Sequence, residues 1–140
     1  MNYYVLQIAD FSRYGKQSRG ADVLDFLVNE KSAWGVGPNC PNRKAVQAGD
    51  KVLFYLSGSR KQTFVGVATL KSGAYKDRTG KSNDWFLDPD TLCIDLKNIF
   101  IFKKPVFRKE IKTIKWKPSR SGISRISKSD YDVIFNACTR

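Results

Sequence analysis

The chain has 140 residues, with 25 lysines and arginines against 13 acids, a formal charge of +12. At 41% hydrophobic and 13% aromatic it can bury a core, which sets aside global disorder, and its length suits one domain, 1–140. No apolar run comes near the roughly 18 residues of a membrane span, and Met1-Asn2-Tyr3-Tyr4 lacks the charged and apolar regions of a signal peptide.

Tyr3 to Ile8, rich in aromatic and β-branched residues, predicts a first strand. Asp10 to Arg19 is polar and holds Gly15, which predicts a connection. Ala21 to Lys31 predicts a helix: Val23, Leu24, Phe26, Leu27 and Val28 fall near helical spacing, and Asp22 and Asp25 suit the positive end of its dipole. Trp34 follows, and the stretch Gly35-Val36-Gly37-Pro38-Asn39-Cys40-Pro41-Asn42 reads as loop, because Gly and Pro break regular structure and Asn favours turns. A large indole there has two uses open to it. It can close over a small core, or it can offer a flat face to a flat ligand.

Gly49-Asp50 predicts a turn before a strand from Lys51 to Leu56. Ser57 to Gln62 predicts a hairpin-type loop with a basic tip. Its partner strand runs from Thr63 to Ser72, where Gly66 marks a bulge or bend. Lys76 to Pro89 predicts a long polar loop that carries a second indole, Trp85. Thr91 to Phe102 predicts a long strand ended by Pro105. Val106 to Ile114 is ambiguous, Gly122 to Ile126 predicts a short strand, and Ser127-Lys128-Ser129-Asp130 has the composition of a helix N-cap. The last helix is expected from Asp130 to Cys138, burying Tyr131, Ile134 and Phe135. About five or six short strands that do not alternate with helices argue against a doubly wound parallel sheet. The fold class expected is α+β, a small curved mixed sheet or open barrel with flanking helices.

The charge is clustered. From Ile101 to Lys128 there are ten cations (Lys103, Lys104, Arg108, Lys109, Lys112, Lys115, Lys117, Arg120, Arg125, Lys128) against Glu110 alone, 10 − 1 = +9. Such a cluster is the footprint of a polyanion binder, whereas a scattered excess would only solvate the surface. The first eight of these cations are the expected phosphate contacts.

Several chemistries lack their usual residues. There is no His, the commonest general base and metal ligand. GxGxxG, Walker A and HExxH patterns are absent. Asp84, Asp88 and Asp90 do not follow the spacing of a calcium loop, and Asp-Pro-Asp is a common turn, so no metal or other cofactor is expected. Cys40, Cys93 and Cys138 show no CxxC spacing and are expected to be reduced thiols of a cytoplasmic protein.

The order Trp34-Gly-Val-Gly, Asn39 and Asn42, Ala48-Gly49-Asp50-Lys51-Val52-Leu53-Phe54-Tyr55, Val65-Gly66-Val67-Ala68, Tyr75-Lys76-Asp77 and Gly122-Ile123-Ser124-Arg125-Ile126 through Ile134 resembles the EVE domain, a PUA-like family related to YTH domains. The resemblance implies a curved barrel that takes a flipped, modified base into an aromatic cage. Trp34 matches one cage indole by position, and Trp85, in Trp85-Phe86-Leu87-Asp88-Pro89, resembles a second. Leu92 stands where relatives place an apolar floor. Gly35, Asn39 and Tyr55 are expected near the base, and Asp10 would accept a hydrogen bond from an exocyclic amino group. Extruding a base costs a few kcal/mol, and stacking on an aromatic returns about 1–3 kcal/mol. The function expected is therefore a non-catalytic reader of 5-methylcytosine or a related base in DNA, with RNA as a variant. A nuclease or ATPase effector would be supplied separately. Replacing Trp34 or Trp85 by Ala is expected to remove discrimination and leave the fold intact.

The competing expectations are an ASCH-like ribonuclease or amidohydrolase, although the Gly-x-Lys-x-x-Glu-x-Arg pattern is absent, and a binder of RNA indifferent to modification. Trp116 is expected to be a partly exposed aromatic with no cage role, and Asn39 has the alternative reading of a turn former.

Overall fold

The computed structural model describes residues 1–8, 11–13, 16–18, 32–36, 42, 44–57, 62–76, 92–118 and 122–139. They form β1 (Tyr3–Ile8), β2 (Phe11–Arg13), β3 (Lys16–Ser18), β4 (Ala33–Val36), β5 (Lys51–Leu56), β6 (Thr63–Leu70), β7 (Tyr75–Lys76), β8 (Leu92–Phe107), a 3-10 turn at Arg108–Glu110, β9 (Ile123–Arg125) and α1 (Lys128–Thr139). The main sheet runs in the order β4-β8-β6-β5-β1-β9, with β7 also on β8, while β2 and β3 form a separate hairpin. Only β1 and β5 pair in parallel, and the other ladders of this sheet are antiparallel. The fold is α+β with a mixed sheet whose path does not close among the described residues.

The pairing of β1 with β5 explains why their sequences read as near-continuous apolar runs. A parallel pair needs a long crossover, here residues 9–50, and sits where both faces are covered. Alternation then sorts the side chains. Tyr4, Leu6 and Ile8 of β1 and Val52, Phe54 and Leu56 of β5 join one apolar layer, which also holds Trp34, Val46 and Ile94. Val5, Leu53 and Tyr55 join a second layer with Phe64, Phe102, Trp116 and Ile134, and α1 contributes to this second layer.

The expected Gly49-Asp50 turn is present. Gly49 has φ of 93°, a left-handed backbone that glycine adopts without cost. Buried Asp50 accepts the Asn2 and Gln47 backbone N–H groups at 3.0 and 2.9 Å. The turn thereby ties the starts of β1 and β5 together. On β6, a Cβ at Gly66 would lie 2.8 Å from the Phe100 carbonyl oxygen, and the β6–β8 register shifts there.

Three expectations need correction. Trp34 lies on a strand, paired with Ile94, and not on a loop. The polar connection after β1 contains the β2–β3 hairpin. Pro105 does not end β8, which continues to Phe107. The register explains this last point: Gly66 pairs with Ile101 and Phe64 with Val106, so residues 102–105 bulge out of the ladder. A residue without a backbone N–H is tolerated in such an unpaired stretch. The expected helix at 21–31 and the polar loop after Lys76 lie outside the described residues.

The C-terminal helix begins at Lys128, two residues earlier than expected. Ser127 Oγ accepts the Asp130 N–H at 3.1 Å, which is the N-cap bond its sequence forecasts. Ile134 and Cys138 are buried, and the half-buried Tyr131 and Phe135 rings stack at 6.2 Å. No helix among the described residues is long and apolar enough to cross a membrane.

Candidate nucleic-acid interface

The basic run interleaves buried and exposed residues. After β8, Ile111 and Trp116 point into the second layer and are buried, whereas Lys109, Lys112, Lys115 and Lys117 are exposed. Lys103 and Lys104 are exposed on the bulge of β8. Lys109 Nζ lies 5.8 Å from the centre of the exposed Phe107 ring, within the range of a cation–π contact. Arg108 is half-buried, and its Nη2 donates to the Trp116 carbonyl at 3.3 Å while its Nε has no partner among the described residues. Six of the eight expected phosphate contacts are thus open to solvent and Arg108 partly so. Arg120 lies outside the described residues.

Trp116 corrects its expectation. It is 7% exposed and forms part of the core. Its Nε1 donates to Ser124 Oγ at 2.9 Å, and its ring meets Tyr55 edge-on at 5.0 Å and Phe64 at 5.6 Å. A buried indole needs a partner for its N–H, and β9 supplies it. The signal was present in Ile114-Lys115-Trp116-Lys117, where apolar and cationic residues alternate as on an extended segment with one buried face.

The expected cage residues are brought together only in part. Trp34 is 6% exposed within the first layer, and Leu92 packs against that layer two residues from Ile94, the register partner of Trp34. These two therefore share a face. Gly35 pairs through its backbone with Cys93. Tyr55 does not join them, because its odd position on β5 sends it to the second layer. It is fully buried, and its hydroxyl donates to Gln62 Oε1. Burial raises the Tyr55 pKa above its usual value, and the nearby Arg108 guanidinium opposes that rise. Asp10, Asn39 and Trp85 lie outside the described residues.

One polar group on the layer of Trp34 stands out. The Tyr4 hydroxyl is buried with no hydrogen-bond partner among the described residues. Among the described residues no group of three or more His, Cys, Asp or Glu could hold a metal ion, and the buried Cys93 and Cys138 are in no disulfide there. Asp84, Asp88, Asp90 and Cys40 lie outside the described residues. Burial pushes the Cys138 thiol up to about 11, with the Val106 backbone acting in the opposite direction. At neutral pH that thiol is protonated and a poor nucleophile.

The EVE domain family model matches residues 15–137. No curated protein matches the chain. Among solved structures, the human THYN1 protein in complex with 5-methylcytosine containing DNA is 14% identical, with a TM-score of 0.69 over 100% of this chain and 99% of that one. ASCH from Zymomonas mobilis is 11% identical, with a TM-score of 0.69 over 99% and 97%. Rpa0253 from Rhodopseudomonas palustris is 16% identical, with a TM-score of 0.63 over 99% and 93%. At these identities the likeness is one of fold.

Proposed function

The chain belongs to the EVE domain family, and on that premise we propose that it binds a modified base in DNA, 5-methylcytosine or a close relative, without catalysing a reaction. The observation that carries the reading is the run of exposed cations from Lys103 to Lys117 on a fold like that of a protein solved with such DNA. Those cations would contact phosphates and set register without reading sequence. The modified base would be read elsewhere, on the layer of Trp34.

With 6% of its surface open, Trp34 can serve a base slot only as an inner wall, with Leu92 beside it as the floor. Trp85 would supply the second ring, and Asp10 and Asn39 the polar contacts. Tyr55 has no place in the slot. A nuclease or ATPase effector would act from a separate domain or protein.

The test compares the affinities of duplexes that differ only in one 5-methylcytosine. One methyl group in a fitted cavity is worth about 1–3 kcal/mol, so the modified duplex is expected to bind at least about 10-fold tighter. Trp85→Ala is expected to erase that difference. Changing Lys112, Lys115 and Lys117 to Glu is expected to weaken both duplexes alike. Equal affinity of the unaltered protein for the two duplexes overturns the reading. Cleavage of labelled RNA would favour the ASCH-like alternative.

A further inference from the structure

Asp130 is one of 13 acids in a strongly basic chain, and it is buried. Its Oδ2 accepts two backbone N–H bonds, from Lys115 at 2.9 Å and from Trp116 at 2.8 Å. The carboxylate thus reaches from the first turn of α1 back to the middle of the basic run. The same short segment is fixed at three more points: the indole N–H on Ser124, the Trp116 carbonyl under Arg108, and the ring between Tyr55 and Phe64. Lys115 and Lys117 flank this anchor on either side and are exposed.

We propose that Asp130 is a positioning residue for nucleic-acid binding: an acid that holds two lysines where phosphates meet them. The proposal rests on the reading under Proposed function. An ionised carboxylate only accepts hydrogen bonds, so Asp130 suits two converging backbone donors. A cation on a segment already ordered loses less freedom on binding than one on a loose loop. The sign of the effect separates this role from simple charge. Removing Asp130 raises the formal charge from +12 to +13, and electrostatics alone would then tighten binding to DNA. Loss of positioning weakens it.

The experiment measures affinity across a salt series for a duplex with one 5-methylcytosine and for its unmodified twin. Each lost phosphate contact lowers the slope of log affinity against log salt by about 0.9. The double variant Lys115→Ala, Lys117→Ala sets the scale for two contacts. Asp130→Ala is expected to show a lower slope of between one and two such steps and to weaken both duplexes equally. Asp130→Asn, which keeps an acceptor oxygen, is expected to recover most of the slope. Should Asp130→Ala lose its fold by circular dichroism, Ser124→Ala, which removes only the acceptor of the indole N–H, is expected to lower the slope in the same direction.

An unchanged slope with equal or tighter binding in a folded Asp130→Ala, or an unchanged slope in Ser124→Ala when that variant is the one read, overturns the proposal. If the unaltered protein binds both duplexes equally but Asp130→Ala lowers the slope, the base reading falls and this inference stands. If the unaltered protein binds neither duplex, both fall.

Discussion

The two faces of the main sheet each bury a tryptophan, and the two rings are wired differently. Trp34 and Trp116 have nearly the same exposure, 6% and 7%. Trp116 is held by its indole N–H, by its ring contacts with Tyr55 and Phe64 and by its backbone, between the exposed Lys115 and Lys117. Trp34 sits on a four-residue strand that pairs with the start of β8. Its layer contains a buried Tyr4 hydroxyl without a partner among the described residues. Beside the second layer, Arg108 Nε is likewise buried without a partner among the described residues. The difference teaches that burial alone does not tell the two indoles apart.

Truncating each ring breaks the comparison most sharply. Trp116→Ala is expected to lower the unfolding free energy by about 3–5 kcal/mol, the usual cost of emptying a buried aromatic site. Urea denaturation reads it. Trp34→Ala is expected to fall in the same range, which corrects the expectation of an unharmed fold. A loss under about 1 kcal/mol for Trp34→Ala would place that ring outside the core and free its face for a base.

Gly66 tests whether the two layers depend on one ladder. The β6–β8 contact carries residues of both, and a methyl at Gly66 meets the Phe100 carbonyl at 2.8 Å. Gly66→Ala is expected to cost about 1–3 kcal/mol and to speed amide exchange along β8 without speeding it in α1. Unchanged exchange in β8 would show that the strand shifts to absorb the methyl.

The smallest effect comes from pH and belongs to the second layer alone. Burial favours the neutral form of Cys138, raised from 9.0 to about 11, and of Tyr131, raised from 10.0 to about 12. In the unfolded chain both groups ionise earlier, so unfolding releases protons and stability falls as pH rises. The loss is expected to begin above pH 9 through Cys138 and to continue through Tyr131 toward pH 12. Urea midpoints collected at pH 8, 9, 10 and 11 should fall, with a shallower fall in Cys138→Ala. A flat profile would mean that neither group is desolvated.

Local pattern was enough where the structure obeys a short repeat. The limits of β1 and β5, the Gly49 turn, the Gly66 bulge and the Ser127 cap were legible because each depends on residues within one strand or one turn. The candidate site was less legible. The clustered cations could be read as a surface, since like charges are not buried together without partners. The anchor beneath them could not, because Trp116, Tyr55, Ser124 and Asp130 come from four segments that meet only in the folded chain.

The order of apolar, polar and cationic residues settled that this chain has a basic surface run and a small mixed sheet, since hydrophobic periodicity and charge are local properties. Which layer each aromatic enters was decided by tertiary structure. Alternation assigns neighbours to opposite faces but does not say what covers either face. The parallel pairing of β1 with β5 and the packing of α1 on the second layer supplied that answer. They placed Tyr55 with Trp116 and parted both from Trp34.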